Sequence, residues 1–184
     1  MTEGLPDAQE TTYLKKYLVK FRGNRRSAPL VSLPPLDIIV SGLGSGIALS
    51  ILAVLSMVYK MPMIVASFGA SAILIYGAPD APLSQPRNVI FGHLLSAVIG
   101  VIIYRLFGFT WAAAALATTI ALILMLITKT THPPGGATAL FAVLGHVTPL
   151  YILTPVLAGA VIMVIVGILT NNLSPNRQYP RYWW

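Results

Sequence analysis

Charge is scarce in this chain. Only 9% of its 184 residues are Asp, Glu, Lys or Arg, and five are acidic. A soluble domain carries about a quarter charged residues, so a chain with 56% apolar residues and a mean hydropathy of +0.78 reads as a membrane protein. Cysteine is absent, which excludes disulfides, a thiolate nucleophile and Cys-ligated clusters. No carboxylate lies inside any long apolar run, which argues against a proton relay built on Asp or Glu. A Gly-rich loop ending in Lys-Ser/Thr is missing, and with it an ATP-driven pump. Neither a His/carboxylate metal cluster nor a Ser-His-Asp set is visible, so no catalytic residue, metal or cofactor is expected and the chain is not read as an enzyme. No signal peptide is apparent, since a largely polar stretch of more than 30 residues precedes the first apolar run.

The charge that exists is placed unevenly. Net charge is +7, and Lys15, Lys16, Lys20, Arg22, Arg25 and Arg26 all precede the first apolar run. That placement suits a cytoplasmic juxtamembrane segment under the positive-inside rule, with the lipid bilayer as partner. Nothing motif-like accompanies the basic residues, so nucleic acid is not expected as a partner. Tyr13, Leu14, Tyr17, Leu18 and Phe21 recur at helical spacing and suggest an amphipathic helix on the membrane surface. Asp37, after Pro34-Pro35-Leu36, is a candidate N-cap.

Four long apolar runs follow: 38–59, 89–104, 110–128 and 150–169. Each is close to the roughly 20 residues that cross a bilayer as a helix. Between them lie two short elements, one opened by Pro62 and interrupted by Ser67 and Gly69, the other opened by Pro133-Pro134-Gly135-Gly136. Residues before proline avoid the α region and proline lacks a donor. An unbroken spanning helix is therefore excluded at Lys129–Gly136, and a new helix should start near Pro134. Shifting the chain by 67 positions places Gly69-Ala70-Ser71-Ala72 on Gly136-Ala137-Thr138-Ala139, Gly92 on Gly159 and Gly100 on Gly167. The order of parts repeats as well, with Lys60 and Lys129 closing a long run in each half. The expected fold is an all-α membrane protein with two internal repeats. It is a helical bundle of four full spans plus two short broken or re-entrant helices, with six spans as the alternative. The expected divisions are a basic segment 1–36, a first membrane repeat 37–107, a second 108–172, and an aromatic tail 173–184. In that tail Tyr179, Tyr182, Trp183 and Trp184 suit an interfacial belt.

The run Thr131-His132-Pro133-Pro134-Gly135-Gly136-Ala137-Thr138-Ala139 resembles the signature of the HPP family of integral membrane proteins. Ser67-Phe68-Gly69-Ala70-Ser71-Ala72, Gln85-Pro86-Arg87-Asn88-Val89 and Gly92-His93 resemble that family's first block. The resemblance covers roughly residues 36–172. Members in cyanobacteria and in plant chloroplast envelopes are known as nitrite transporters. It therefore implies transport of a small inorganic anion, nitrite first, with a cyanobacterial type of plasma membrane and a cytoplasmic N-terminus as the setting. A permease for another small solute and a membrane scaffold without a pore are the alternatives.

Weak internal symmetry with paired interrupted segments points to a transport site where the repeats meet. The expected site is Ser67, Phe68, Gly69 and Ser71 from the first short element, with His132, Pro134, Gly135, Gly136 and Thr138 from the second. Free N–H groups at the two helix starts and the Ser71 and Thr138 hydroxyls would hold a compact anion weakly enough to release it. Close helix packing through the glycines is the competing reading. His132 is read either as an anion donor or pH switch or as a helix cap, His93 as an interhelical hydrogen-bond partner, and His146 as solvated. Arg105 should snorkel to the interface, and Lys60 and Lys129 either snorkel or line vestibules. Arg87 should hold its own loop, with Asp80 as its nearest acid. With so few spans, a homo-oligomer is expected.

Overall fold

Helix starts follow the prolines. In a computed structural model, which describes residues 33–60 and 65–184 together with Lys15 and Tyr17, proline occupies the first turn of three helices. Its missing N–H costs nothing there. These are α1 (Pro35–Tyr59), α3 (Pro86–Phe107) and α5 (Pro134–Leu144). Between them lie α2 (Ala66–Ala72), which continues through a wider turn to Gly77, and α4 (Trp111–Ile127). Thr110 caps α4 by accepting the Ala113 N–H at 3.0 Å. The last helix, α6 (Ala158–Asn171), is led by irregular turns, so its apolar stretch runs from Pro149 to Asn171. All regular structure among the described residues is helical. Leu33–Trp184 form one compact unit. The amphipathic pattern at Tyr13–Phe21 falls, Tyr17 apart, outside the described residues.

Three stretches are long and apolar enough to cross a membrane: Pro35–Tyr59, Pro86–Phe107 and Pro149–Asn171. The third expected full span, α4, has 17 residues, about 26 Å of helix. Side chains on one flank of α1 (Ile39, Leu43, Ile47, Ile51, Val54) are exposed, as a lipid-facing surface requires.

Cross-contacts give each element a direction. Asp37, at the start of α1, accepts from the Ser174 hydroxyl (2.5 Å) and faces Arg177 at 3.6 Å. The carbonyl of Tyr76, at the end of α2, accepts from Ser41 (2.7 Å) and Arg177 (2.9 Å). Asp80 and Gln85, before α3, both take Arg181. The start of α1, the end of α2 and the start of α3 thus share one end of the bundle, here the Arg177 end. At the other end Tyr104, late in α3, lies 3.3 Å from His146 Nδ1, just before the α6 stretch. α4 comes back to the Arg177 end, where Arg87 donates to the Thr128 carbonyl at 3.0 Å. α5 leaves from there toward His146. The six elements therefore alternate in direction, and neither short helix returns to the end it came from. α2 and α5 are both short helices, and α5 is led in by non-helical chain over 130–132.

Three smaller expectations change. Pro34 holds the N-cap place of α1, and Asp37 sits buried in its first turn as the partner of Arg177. Arg87 reaches across to Thr128 instead of holding its own loop, and Asp80 pairs with Arg181. Tyr179 is buried, with its hydroxyl donating to the Ser84 carbonyl at 2.8 Å, whereas Tyr182, Trp183 and Trp184 are exposed as an interfacial belt would be.

Helix contacts recur at the 67-residue shift. A Cβ on Gly100 of α3 would lie 2.5 Å from Ala142 Cβ of α5, and one on Gly167 of α6 would lie 2.7 Å from the Ile75 side chain, just beyond α2. Gly167 is 67 after Gly100, and Ala142 is 67 after Ile75. Gly92 and Gly159 are also 67 apart, but their partners are not: Gly92 closes on His132 and Gly159 on the Phe68 ring. Each half thus lays its long third helix against the short element of the other half. Lys60 and Lys129 both take positive φ (51° and 57°) where a long helix ends.

Candidate functional site

α2 and α5 cross side by side in opposite directions at the centre of this packing. Ser67, the second residue of α2, meets Thr138, the fifth of α5, at 3.0 Å. Ser71, one turn later in α2, meets His132, which precedes α5, at 2.8 Å. The two helix starts consequently pass one another. They do not point into one shared pocket, as the sequence suggested. Side chains, not free N–H groups, occupy the crossing.

These side chains form an unbroken chain of hydrogen bonds. His132 Nδ1 lies 2.8 Å from the Leu83 carbonyl, and its Nε2 lies 2.8 Å from Ser71 Oγ. Ser71 Oγ is also 2.8 Å from His93 Nε2, and His93 Nδ1 is 2.8 Å from Thr138 Oγ1. Thr138 and Ser67 close the series. Ser71 and Thr138 are 67 positions apart, so one imidazole holds a hydroxyl from each half, one on each ring nitrogen. His93, His132, Ser71 and Thr138 have no solvent exposure. Buried polar groups of this kind cost free energy unless paired. Pairing is complete: no fully buried side-chain N or O atom among the described residues lacks a partner.

The surroundings are apolar or neutral. Phe68 sets its ring edge to His93 at a centroid distance of 5.2 Å, and the two imidazoles stand 4.9 Å apart. The Tyr151 hydroxyl donates to the Thr138 carbonyl at 3.3 Å, and Asn88 holds the lead-in to α5 through the Thr131 carbonyl at 2.9 Å. Gly92 and Gly135 make the approach possible. A Cβ on Gly92 would lie 2.6 Å from His132 Cβ, and one on Gly135 would lie 2.9 Å from the Gly92 carbonyl oxygen.

Of the expected site residues, Ser67, Phe68, Ser71, His132 and Thr138 come together. Pro134 is buried at the first turn of α5, beside the cluster in sequence but with no side-chain donor. Gly135 serves packing against α3. Gly69 and Gly136 stand aside: a Cβ on Gly69 would meet nothing within 4 Å, and one on Gly136 only Thr118 at 3.5 Å. His93 is the interhelical partner expected of it, and it is also the hub, which the sequence did not show. Leu83 was missed because a carbonyl carries no residue-type signal.

A family model describing the HPP transmembrane region matches residues 31–180. The chain belongs to the HPP family. Two curated relatives are transmembrane proteins of Dictyostelium discoideum. One is 44% identical over 68% of this chain and 47% of its own length; the other is 38% identical over 94% of this chain and 58% of its own length. This HPP-family chain thus spans about half the length of the curated relatives it matches. Both relatives come from Dictyostelium and lend no support to a bacterial setting. No solved structure matches.

Proposed function

We propose that this HPP-family membrane protein moves a small inorganic anion across the bilayer, with nitrite as the leading candidate. One observation carries the reading: two short, oppositely directed helices cross at the bundle centre around three hydroxyls and two imidazoles buried from both ends. Irregular chain at membrane depth is tolerated where it is enclosed by protein or lines a solute path. Hydroxyls and neutral imidazoles bind a singly charged anion weakly, as release requires. The state described is closed, and an anion would enter by replacing the Ser67–Thr138 contact. The recurring contacts at the 67-residue shift support two inverted repeats and six crossings. In that arrangement Arg87, Lys129, Arg177 and Arg181 share the N-terminal side, which the positive-inside rule assigns to the cytoplasmic face. Assembly as a homo-oligomer, as expected from so few spans, belongs to the same reading.

Flux of nitrite into proteoliposomes tests it. Uptake should saturate with nitrite and disappear in Ser67→Ala with Thr138→Val. Uptake equal to that of protein-free vesicles, from a folded preparation, refutes anion transport and leaves a scaffold role.

A further inference from the structure

Away from the crossing, the His146 end of the bundle holds an open cavity of about 420 Å³. Tyr104, Arg105, Phe109, His146 and Thr148 line it. Three elements meet there: α3 ends at Phe107, α4 begins at Trp111, and α5 ends at Leu144. His146 follows α5 with φ 51°, a place usually filled by glycine. Lys60 and Lys129 share that backbone, and their side chains are exposed. The His146 ring is held in place. It stacks on Phe109 at a centroid distance of 4.6 Å, and its Nδ1 lies 3.3 Å from the Tyr104 hydroxyl.

Donors are left over in this cavity. Tyr104 and a neutral His146 have an O–H and a ring N–H between them and share one hydrogen bond. Whichever tautomer the ring adopts, one of those donors stays unused. Thr148 and the exposed Arg105 make no side-chain hydrogen bond or ion pair among the described residues. Arg87, Arg177 and Arg181 all have partners. Both carboxylate side chains among the described residues, Asp37 and Asp80, are taken at the Arg177 end. No acid among them therefore competes for Arg105. α3 and α5 end here, and helix C-termini favour a cation. That accounts for a cation at this place without occupying it. The Tyr104 and Phe141 carbonyls take the Gly108 and Gly145 N–H groups, each at 2.8 Å.

We propose that this cavity is an outer binding station for a small planar oxyanion, gripped at two oxygens by the Arg105 guanidinium and completed by Thr148 and the unused donor of the Tyr104–His146 pair. This rests on the anion-transport reading above and adds a stop before the crossing. A guanidinium fork matches two oxygens in one plane, which a spherical halide does not offer. The station is joined to the crossing by two elements. Gly145, at the end of α5, lies about 10 Å along that helix from Thr138. Thr148 opens the turn that carries Tyr151, whose hydroxyl donates to the Thr138 carbonyl at 3.3 Å.

The test pairs transport with a binding measurement on the full chain. Nitrite uptake into proteoliposomes is followed over a range of nitrite concentrations for wild type, Arg105→Gln, Arg105→Lys and Lys60→Gln. Arg105→Gln should raise the half-saturating concentration about fivefold, as loss of one exposed charged contact does, while the maximal rate changes far less. Arg105→Lys should recover part of that rise. Lys60→Gln removes a charge at the same end but outside the cavity and should shift half-saturation by less than about twofold. Equal shifts from Lys60→Gln and Arg105→Gln would mean a diffuse field and overturn the station. In detergent at constant chloride, nitrite should shift the His146 ring NMR signals saturably in wild type and not in Arg105→Gln. Uptake with a half-saturation that Arg105→Gln leaves unaltered, together with unmoved His146 signals, overturns the station and leaves anion transport standing. A saturable His146 shift without uptake overturns the transport reading and keeps the station as an anion site. Absence of both overturns both.

Discussion

The two halves of this chain agree where they pack and differ where they carry chemistry. Gly100 and Gly167 receive Ala142 and Ile75, and all four residues obey one 67-residue shift. Ser71 and Thr138 obey it too and bond the same ring. The histidines do not: at the same shift His93 falls on Ala160 and His132 on Val65. Symmetry builds a crossing with a hydroxyl on each side. Asymmetry then places one imidazole between those hydroxyls and a second behind Ser71.

Several changes would break or sharpen that comparison. The largest effect on stability should come from the Arg177 end, where the ion pair joins the first helix to the segment after the last. Asp37→Ala leaves a buried guanidinium without its carboxylate, and removal of one partner of such a pair costs about 3–5 kcal/mol. A detergent-solubilised thermal melt should show the loss; an unchanged midpoint would mean the pair is solvated. Next is His93→Ala, which makes the halves alike at the hub. It removes one hydrogen bond from each of the Ser71 and Thr138 hydroxyls, about 0.5–1.5 kcal/mol apiece, and leaves a cavity where the ring packed; nitrite flux should vanish even where the protein remains folded at low temperature.

Matched glycines give a smaller, paired effect. Gly100→Ala and Gly167→Ala should each destabilise by about 1–3 kcal/mol through overpacking, and by similar amounts. A large cost at one and none at the other would contradict the equivalence of the halves. Gly135→Ala belongs with them, since its Cβ would press on the Gly92 backbone, whereas Gly136→Ala should change stability by less than about 0.5 kcal/mol. Smallest is Arg87→Ala, which removes an exposed hydrogen bond to Thr128 and should cost under about 1 kcal/mol. Because the chain has no cysteine, single Lys60→Cys and Asp80→Cys variants report sidedness cleanly. Six crossings place them on opposite faces of the membrane, and four crossings with re-entrant helices place them on the same face.

Much of the scaffold was legible from apolar run lengths and proline positions. Helix starts at Pro35, Pro86 and Pro134 are local events, fixed by a ring that sets φ and lacks a donor. The shift between Ser71 and Thr138 was legible for the same reason, as short-range identity repeated at a distance. Direction was not. Whether α2 turns back or continues depends on Tyr76 meeting Ser41 and Arg177, residues far apart in sequence. The glycines looked equivalent in the sequence, yet Gly92 and Gly135 face another backbone and Gly69 and Gly136 do not. His93 looked like an ordinary packed histidine because its two partners lie 22 residues before it and 45 after. Tyr179 carried the composition of an interfacial residue, and only the return of its segment over Gly167 buries it.

Nitrite flux measured side by side for wild-type and His93→Ala protein in the same vesicles tests the central claim most directly. Saturable wild-type uptake that His93→Ala abolishes, with both proteins folded, is the result expected of a transport site built between two halves around one imidazole. Equal uptake by the two proteins would place the path elsewhere and contradict it.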